Sequence, residues 1–174
     1  MFSTRIVLFL VFLALQIATL VTGARYQIKN RYLNSYVKAV PGAHRDEIPL
    51  VADRNHIGPG YAWDVLNLDQ GGQKQRHYQL KNAHFKMSAA GDAKKGSGSR
   101  VVAVPEGRSS AWHLSPRFND HNPTHSFVIY LEETDLAWTL EDGVVRLRKY
   151  EHKPTQQWAI VQEGHSLYEW LHTQ

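Results

Sequence analysis

The sequence predicts an all-β protein assembled from three copies of one four-stranded unit, and three observations predict it. Tryptophans recur every 46 to 49 residues, each within a similar phrase: Ala62-Trp63-Asp64-Val65, Ala111-Trp112-His113-Leu114 and Gln157-Trp158-Ala159-Ile160. Each phrase has a matching opening upstream: Tyr26-Gln27-Ile28-Lys29-Asn30, Tyr78-Gln79-Leu80-Lys81-Asn82 and Phe127-Val128-Ile129-Tyr130. Between them, short apolar or alternating runs are broken by Gly, Pro, Asn and Asp clusters, with few helix signals, which is the pattern of many short strands. A fixed period of this kind marks one supersecondary unit used repeatedly.

Residues 1–24 come first. Arg5 precedes an apolar run over residues 6–15, and small and polar residues lead to Val21-Thr22-Gly23-Ala24. Charge, apolar stretch and small cleavage positions in that order read as a secretory signal peptide. Residues 6–21 are short for a bilayer crossing, and no later segment is long and apolar enough to span. The expectation is a secreted, extracellular chain with no membrane span. Cleavage after Ala24 leaves about 150 residues, enough for one domain with a sizeable core. There is no cysteine, so that core holds the fold without disulfides. The chain carries 20 Lys and Arg against 16 Asp and Glu, a formal charge of +4. That suits mild attraction to anionic surfaces and does not argue for a nucleic-acid partner.

The domain, 25–174, divides into repeats at about 25–70, 76–118 and 125–163, with a tail at 164–174. In repeat one the strands fall on Tyr26 and Ile28, on 36–40, on 48–52, and on Trp63 and Val65. In repeat two they fall on Tyr78 and Leu80, on 85–89, on 101–104, and on Trp112 and Leu114. In repeat three they fall on Phe127 and Ile129, on 136–140, on 144–147, and on Trp158 and Ile160. Asp142-Gly143 between two apolar runs is the strongest hairpin signal in the chain. One such unit cannot bury its own apolar face, so the three must share a core. Closing the sheet also removes exposed edges. A β-trefoil, a three-fold pseudo-symmetric capped barrel, meets both demands. A β-sandwich is the alternative, but it needs no three-fold period. Trp63, Trp112 and Trp158 each have an apolar residue two positions on, hence on the same side of the strand. They read as structural core rather than as sugar-stacking platforms.

These residues resemble a known family. Gln156-Gln157-Trp158 is similar to the Gln-x-Trp signature of ricin-B-like (R-type) β-trefoil lectins, with Tyr61 and Ser110 standing at the Gln position of the other two repeats. The Tyr-x-Ile/Leu-x-Asn openings and the Trp-x-Val/Leu/Ile closings look like that family's repeats. The cysteine-free wording Tyr26-Gln27-Ile28-Lys29-Asn30-Arg31-Tyr32-Leu33, followed by Val40-Pro41-Gly42, most resembles the small defence lectins of mushrooms. The resemblance covers residue 25 to about residue 162. It implies glycan binding through one shallow pocket per repeat. Such a pocket uses a polar or acidic residue of the second strand, an aromatic platform in or after the third strand, and an Asn or Gln near the closing Trp. The second-strand position falls on Lys38, Ser88 and Trp138. None is acidic, so the family's usual galactose-type site is not carried over.

Sugar recognition needs a flat aromatic face and fixed hydrogen-bonding groups around it. Repeat one offers Asp53, Asn55 and Tyr61 in a Gly/Pro-bounded loop, with Asp46 and Glu47 in the preceding turn. Repeat three offers Tyr150, Glu151 and Gln156, with Trp138 facing outward as a further platform; Gln156 also reads as a brace for backbone. Repeat two offers little beyond Asp92 and Arg108. The run 94–100 reads as a flexible basic hairpin tip, whose functional reading is contact with a sulfated or phosphorylated polymer. No His, Cys or Asp grouping has metal-ligand spacing. No nucleophile elbow, phosphate loop or His-Glu-x-x-His is present. No metal, cofactor or catalytic residue is therefore expected, and glycans are the expected partners. Two other readings fit the same scaffold. One is a protease inhibitor presenting residues 43–47, Lys94-Lys95 or Arg108-Ser109. The other is an interaction protein whose sugar sites have decayed. The apolar tail either docks back onto the barrel or forms a homodimer contact.

Overall fold

The computed structural model describes residues 25–40, 46–55, 58–68, 77–119, 122–162 and 165–166. The expected signal peptide, residues 43–45 of the candidate inhibitory loop and most of the tail lie outside the described residues.

Repeat one supplies β1 (Arg25–Asn30), β2 (Ser35–Lys38), β3 (Ile48–Pro49), β4 (Val51–Asp53) and β5 (Trp63–Asn67). Repeat two supplies β6 (His77–Asn82), β7 (Met87–Ala90), β8 (Val102–Pro105) and β9 (Trp112–Asn119). Repeat three supplies β10 (Asn122–Leu131), β11 (Leu136–Glu141), β12 (Val144–Lys149) and β13 (Trp158–Gln162), and β14 (His165–Ser166) pairs back onto β13. The first and last strand of each repeat form a closed antiparallel ring, β1-β5-β6-β9-β10-β13, in which β13 returns to β1. The inner strands form three hairpins, β2–β4, β7–β8 and β11–β12. This is the predicted β-trefoil.

The hairpins meet at the pseudo-axis. Leu50 N–H donates to Val101 O (2.9 Å), Val101 N–H to Val145 O (2.9 Å), and Val145 N–H to Leu50 O (3.0 Å). All three residues are fully buried. Each hairpin therefore gives one bond to the next and takes one from the last. The turn at the tip of β11–β12 holds Asp142 and Gly143 at φ of +50° and +75°, the left-handed pair that a two-residue hairpin requires.

The tryptophans fasten the hairpins to the ring. Trp63 Nε1 donates to Val37 O (3.1 Å), Trp112 Nε1 to Ala89 O (3.3 Å) and Trp158 Nε1 to Trp138 O (3.0 Å). Each indole has no exposed surface, and each carbonyl belongs to the second strand of its own repeat. Trp138, expected to face outward, is instead fully buried. Its ring meets Trp112 and Trp158 edge-on, at centroid distances of 5.3 and 5.8 Å. Among the described residues its Nε1 has no acceptor.

Asn30 and Asn82, the last residues of β1 and β6, explain where two repeats turn. The Asn82 carboxamide oxygen accepts from His84 N (3.2 Å) and Phe85 N (3.0 Å), so residues 83–85 form a turn. β7 consequently starts at Met87, two residues later than expected. Asn30 Oδ1 accepts from Leu33 N (3.0 Å) in the same way. The amide nitrogens of both reach into the phrase before the closing Trp, Asn30 to Thr155 O (3.0 Å) and Asn82 to Gly60 O (2.8 Å). Gly60 is required there, because a Cβ would fall 2.5 Å from Ala39 O. Leu131 takes this place in repeat three, and Thr134 holds the turn instead through its hydroxyl.

A prediction follows from the unequal indoles. Trp158→Phe and Trp138→Phe remove similar volume, but only the first strands a buried carbonyl, worth about 1–3 kcal/mol. Trp158→Phe is therefore expected to destabilise more than Trp138→Phe by at least about 1 kcal/mol in urea unfolding. Equal losses would show that the indole bond contributes nothing beyond packing.

Candidate functional site

The indole bonds define which residues are equivalent. Val37, Ala89 and Trp138 occupy one position, because each presents its carbonyl to the closing Trp of its repeat. The next residues, Lys38, Ala90 and Thr139, form the following set. The expected set Lys38, Ser88 and Trp138 is thus out of register by one or two residues in two of the repeats. The burial pattern explains why: the first five residues of β11 are all buried, so no alternation marks its outward side. Two residues before the closing Trp stand Tyr61, Ser110 and Gln156. In every repeat this residue braces the hairpin, and each does so differently.

In repeat three Gln156 is only 1% exposed. Its oxygen accepts from Glu151 N (2.8 Å), and its nitrogen donates to Thr139 Oγ1 and Lys149 O, both at 3.0 Å. All of its bonding capacity faces protein, so it fixes the loop after β12, the bracing role that the sequence suggested beside ligand contact. Beside it opens a depression of about 330 Å³, lined by Thr139, Glu141, Arg148, Glu151 and Lys153 among others, with Ser97 of repeat two on its far side. Arg148 grips Glu141 through two bonds of 2.8 Å, which holds that carboxyl below its usual range. Lys153 pairs with Glu151 at 2.6 Å and lowers its carboxyl likewise.

In repeat two Ser110 takes the bracing role with its hydroxyl alone. It accepts from Gly91 N (2.9 Å) and donates to Gly91 O (3.0 Å). With Ala90 in place of a larger side chain, a cavity of about 770 Å³ opens over β7 and β8. Its lining includes Asp92, Lys95, Arg100 and Arg108 of repeat two and Glu47 of repeat one. Asp92 and Arg108 were the residues that the sequence offered for this repeat. Each of the two cavities thus lies between a repeat's own hairpin and the loop of the repeat before it.

In repeat one the equivalent side chains bond one another. Lys38 Nζ donates to Asp53 Oδ2, and the Tyr61 hydroxyl donates to Asp53 Oδ1 at 2.6 Å. The ammonium stands 5.5 Å from the centre of the Tyr61 ring. Tyr61 is 5% exposed, so its ring offers no open face to a sugar. The Lys38 and Tyr61 bonds lower the Asp53 carboxyl from its usual value. The Asp53 bond raises Lys38, and burial raises Tyr61. Two of the expected contacts, Asp53 and Tyr61, are thereby engaged with each other and with Lys38.

The remaining expected residues disperse. Asn55 is exposed beyond β4. Asp46 is exposed, and its neighbour Glu47 pairs with Arg108 (2.9 Å) on the repeat-two cavity rather than with the Asp53 loop. Tyr150 is half-buried in a separate cluster. The Arg117 guanidinium lies 4.8 Å from its ring centre, Tyr130 meets it edge-on at 5.7 Å, and His152 packs at 4.5 Å. Glu151 remains exposed on the repeat-three depression. Among the described residues no three His, Asp or Glu side chains gather as a metal site.

No protein-family model matches the chain, and no curated protein does. Solved structures do match. A designed three-fold symmetric protein, ThreeFoil, superposes with a TM-score of 0.65 at 17% identity, covering 79% of this chain and 98% of that one. The ricin B-like lectin of Macrolepiota procera, solved with lactose, superposes with a TM-score of 0.59 at 17% identity, covering 79% of this chain and 94% of that one. A Polyporus squamosus lectin, bound to a human-type influenza-binding epitope, gives 0.59 at 18% identity, covering 80% of this chain and 49% of that one. The chain is a β-trefoil, and its structural neighbours include ricin B-like lectins, as the Gln-x-Trp residues led us to expect.

The repeat-one cluster has a pH signature. The folded Asp53 carboxyl sits below its unfolded value of about 4, so its contribution is present above that value and is lost as pH falls through the folded one. Asp53→Asn removes the contribution at all pH. The melting temperature of wild type is expected to exceed that of Asp53→Asn at pH 7, with the gap shrinking towards pH 2. A gap that stays constant over that range would show that the ion pair does not stabilise the fold.

Proposed function

We propose that the protein is a secreted carbohydrate-binding protein without catalytic activity, and that repeats two and three carry its sites. The observation that carries this reading is the pair of open, polar depressions at equivalent places in those repeats, beside a third place where Lys38, Asp53 and Tyr61 bond one another. The repeat-three depression has no aromatic lining residue and offers a sugar hydrogen-bonding groups instead. Gln156 and Thr139 form a buried, rigid floor, while Glu141, Glu151, Arg148 and Lys153 place acceptors and donors around it. Hydroxyls of a sugar need such fixed partners, since each one buried without a partner costs about 1–3 kcal/mol. Lactose in one structural neighbour and a glycan epitope in another are of the same ligand class. The leader residues support secretion.

Shallow single sites bind weakly; a millimolar site corresponds to about −4 kcal/mol. Two sites on one barrel raise avidity without further contacts. The test is a broad glycan array on the chain from residue 25, with Glu151→Ala beside wild type. Wild type is expected to bind at least one neutral glycan class. Glu151→Ala, exposed and off the core, is expected to weaken that binding about fivefold with an unchanged melting temperature. A folded protein that binds no glycan of any class would overturn the reading.

A further inference from the structure

The basic run 94–100, expected to be a flexible tip, is a built ridge. Asp92 Oδ1 accepts from Lys94 N (2.9 Å) and starts a short 3-10 turn, Ala93–Lys95. Gly96 and Gly98 take φ of +66° and +96°. Beyond them the backbone is pinned to β12: Gly98 N–H donates to Leu147 O (2.7 Å), and Leu147 N–H to Ser99 O (2.8 Å). Arg146 Nη1 adds a bond to Gly98 O (3.1 Å). Ser97, at the crest, lines the cavities on both sides.

Charge gathers on this ridge. Three basic side chains line the repeat-two cavity, Lys95, Arg100 and Arg108, against two carboxylates, Asp92 and Glu47. The carboxylates are engaged, Asp92 with Lys95 (3.7 Å) and Glu47 with Arg108 (2.9 Å). Arg100 is exposed and has no carboxylate partner among the described residues. The cavity therefore keeps one uncompensated guanidinium, whose planar donors suit a carboxylate or sulfate. No aromatic residue lines it. The repeat-three depression lacks one too, so the guanidinium of Arg100, uncompensated among the described residues, is what sets the two cavities apart. Recognition there must come from charge and hydrogen bonds.

From this we propose that the repeat-two cavity binds an acidic saccharide, a sulfated or carboxylated glycan, with Arg100 as the anion-recognising residue and the hydroxyls of Ser97 and Ser99 as neutral donors beside it. The inference rests on the carbohydrate-binding reading and assigns the two cavities different ligand classes, a neutral glycan in repeat three and an acidic one in repeat two.

The test is fluorescence anisotropy with a labelled heparin-derived hexasaccharide on the chain from residue 25, near physiological salt. A hyaluronan hexasaccharide serves as the carboxylate-only probe. Arg100→Ala is expected to weaken binding of at least one of these probes about fivefold. Arg54→Ala, an exposed cation outside the cavity, is expected to change neither. Arg100→Glu is expected to abolish binding while the melting temperature holds. Failure of both probes to bind would overturn the inference. So would equal losses in Arg100→Ala and Arg54→Ala, or equal competition by a single-stranded oligonucleotide of matched charge. Neutral-glycan binding that is unchanged in Arg100→Glu and weakened in Glu151→Ala separates the two sites. An outcome in which neutral glycans still bind and acidic ones do not overturns this inference and leaves the function standing.

Discussion

The cyclic hydrogen bond among Leu50, Val101 and Val145 is the constraint on which the rest depends. No hairpin can leave the axis without stranding a buried donor on one neighbour and a buried acceptor on another, each costing about 1–3 kcal/mol. The indoles of Trp63, Trp112 and Trp158 then tie each hairpin to the ring strand that closes its own repeat. A chain with no cysteine gains its rigidity from these two sets of bonds and the apolar core they enclose. Because both sets are internal, the outer sides of the hairpins are free to differ from repeat to repeat.

They do differ, and the difference is controlled two residues before each indole. Tyr61 reaches Asp53, which Lys38 also binds. Ser110 is short, bonds Gly91 through its hydroxyl, and leaves a wide cavity. Gln156 is long enough to organise the following loop from beneath, and leaves a smaller one. One backbone position thus yields an internally bonded cluster, a wide cavity and a smaller depression. The asymmetry arises without changing the barrel, since every bracing bond is local to its repeat.

The repetition, the closing indoles and the Asp142-Gly143 turn were all legible, because each leaves a mark within a few residues of sequence; the strand count held in repeats two and three, while the expected strand 48–52 of repeat one is divided at Leu50. The second-strand register was not. Leu136-Ala137-Trp138-Thr139-Leu140 is buried throughout, so period-two reasoning had nothing to act on and turned Trp138 outward. The Asn82 turn could have been read from Asn30, which repeats its place and its role. The sites were less legible still. The repeat-two cavity joins Glu47 to residues more than forty positions later, and no local motif announces such a meeting. Tyr61, chosen for its aromatic ring, contributes its hydroxyl to an internal cluster, which only the position of Lys38 reveals.

Native-state hydrogen exchange of the Leu50, Val101 and Val145 amides tests the central claim most directly. If the three repeats form one cooperative unit around the axis, these amides exchange only through global unfolding. Their opening free energies then coincide with one another and with the stability from urea denaturation. One of the three exchanging at a clearly lower free energy than the other two would mean that a repeat opens alone. The common pseudo-axis would then not be what holds the sites in place.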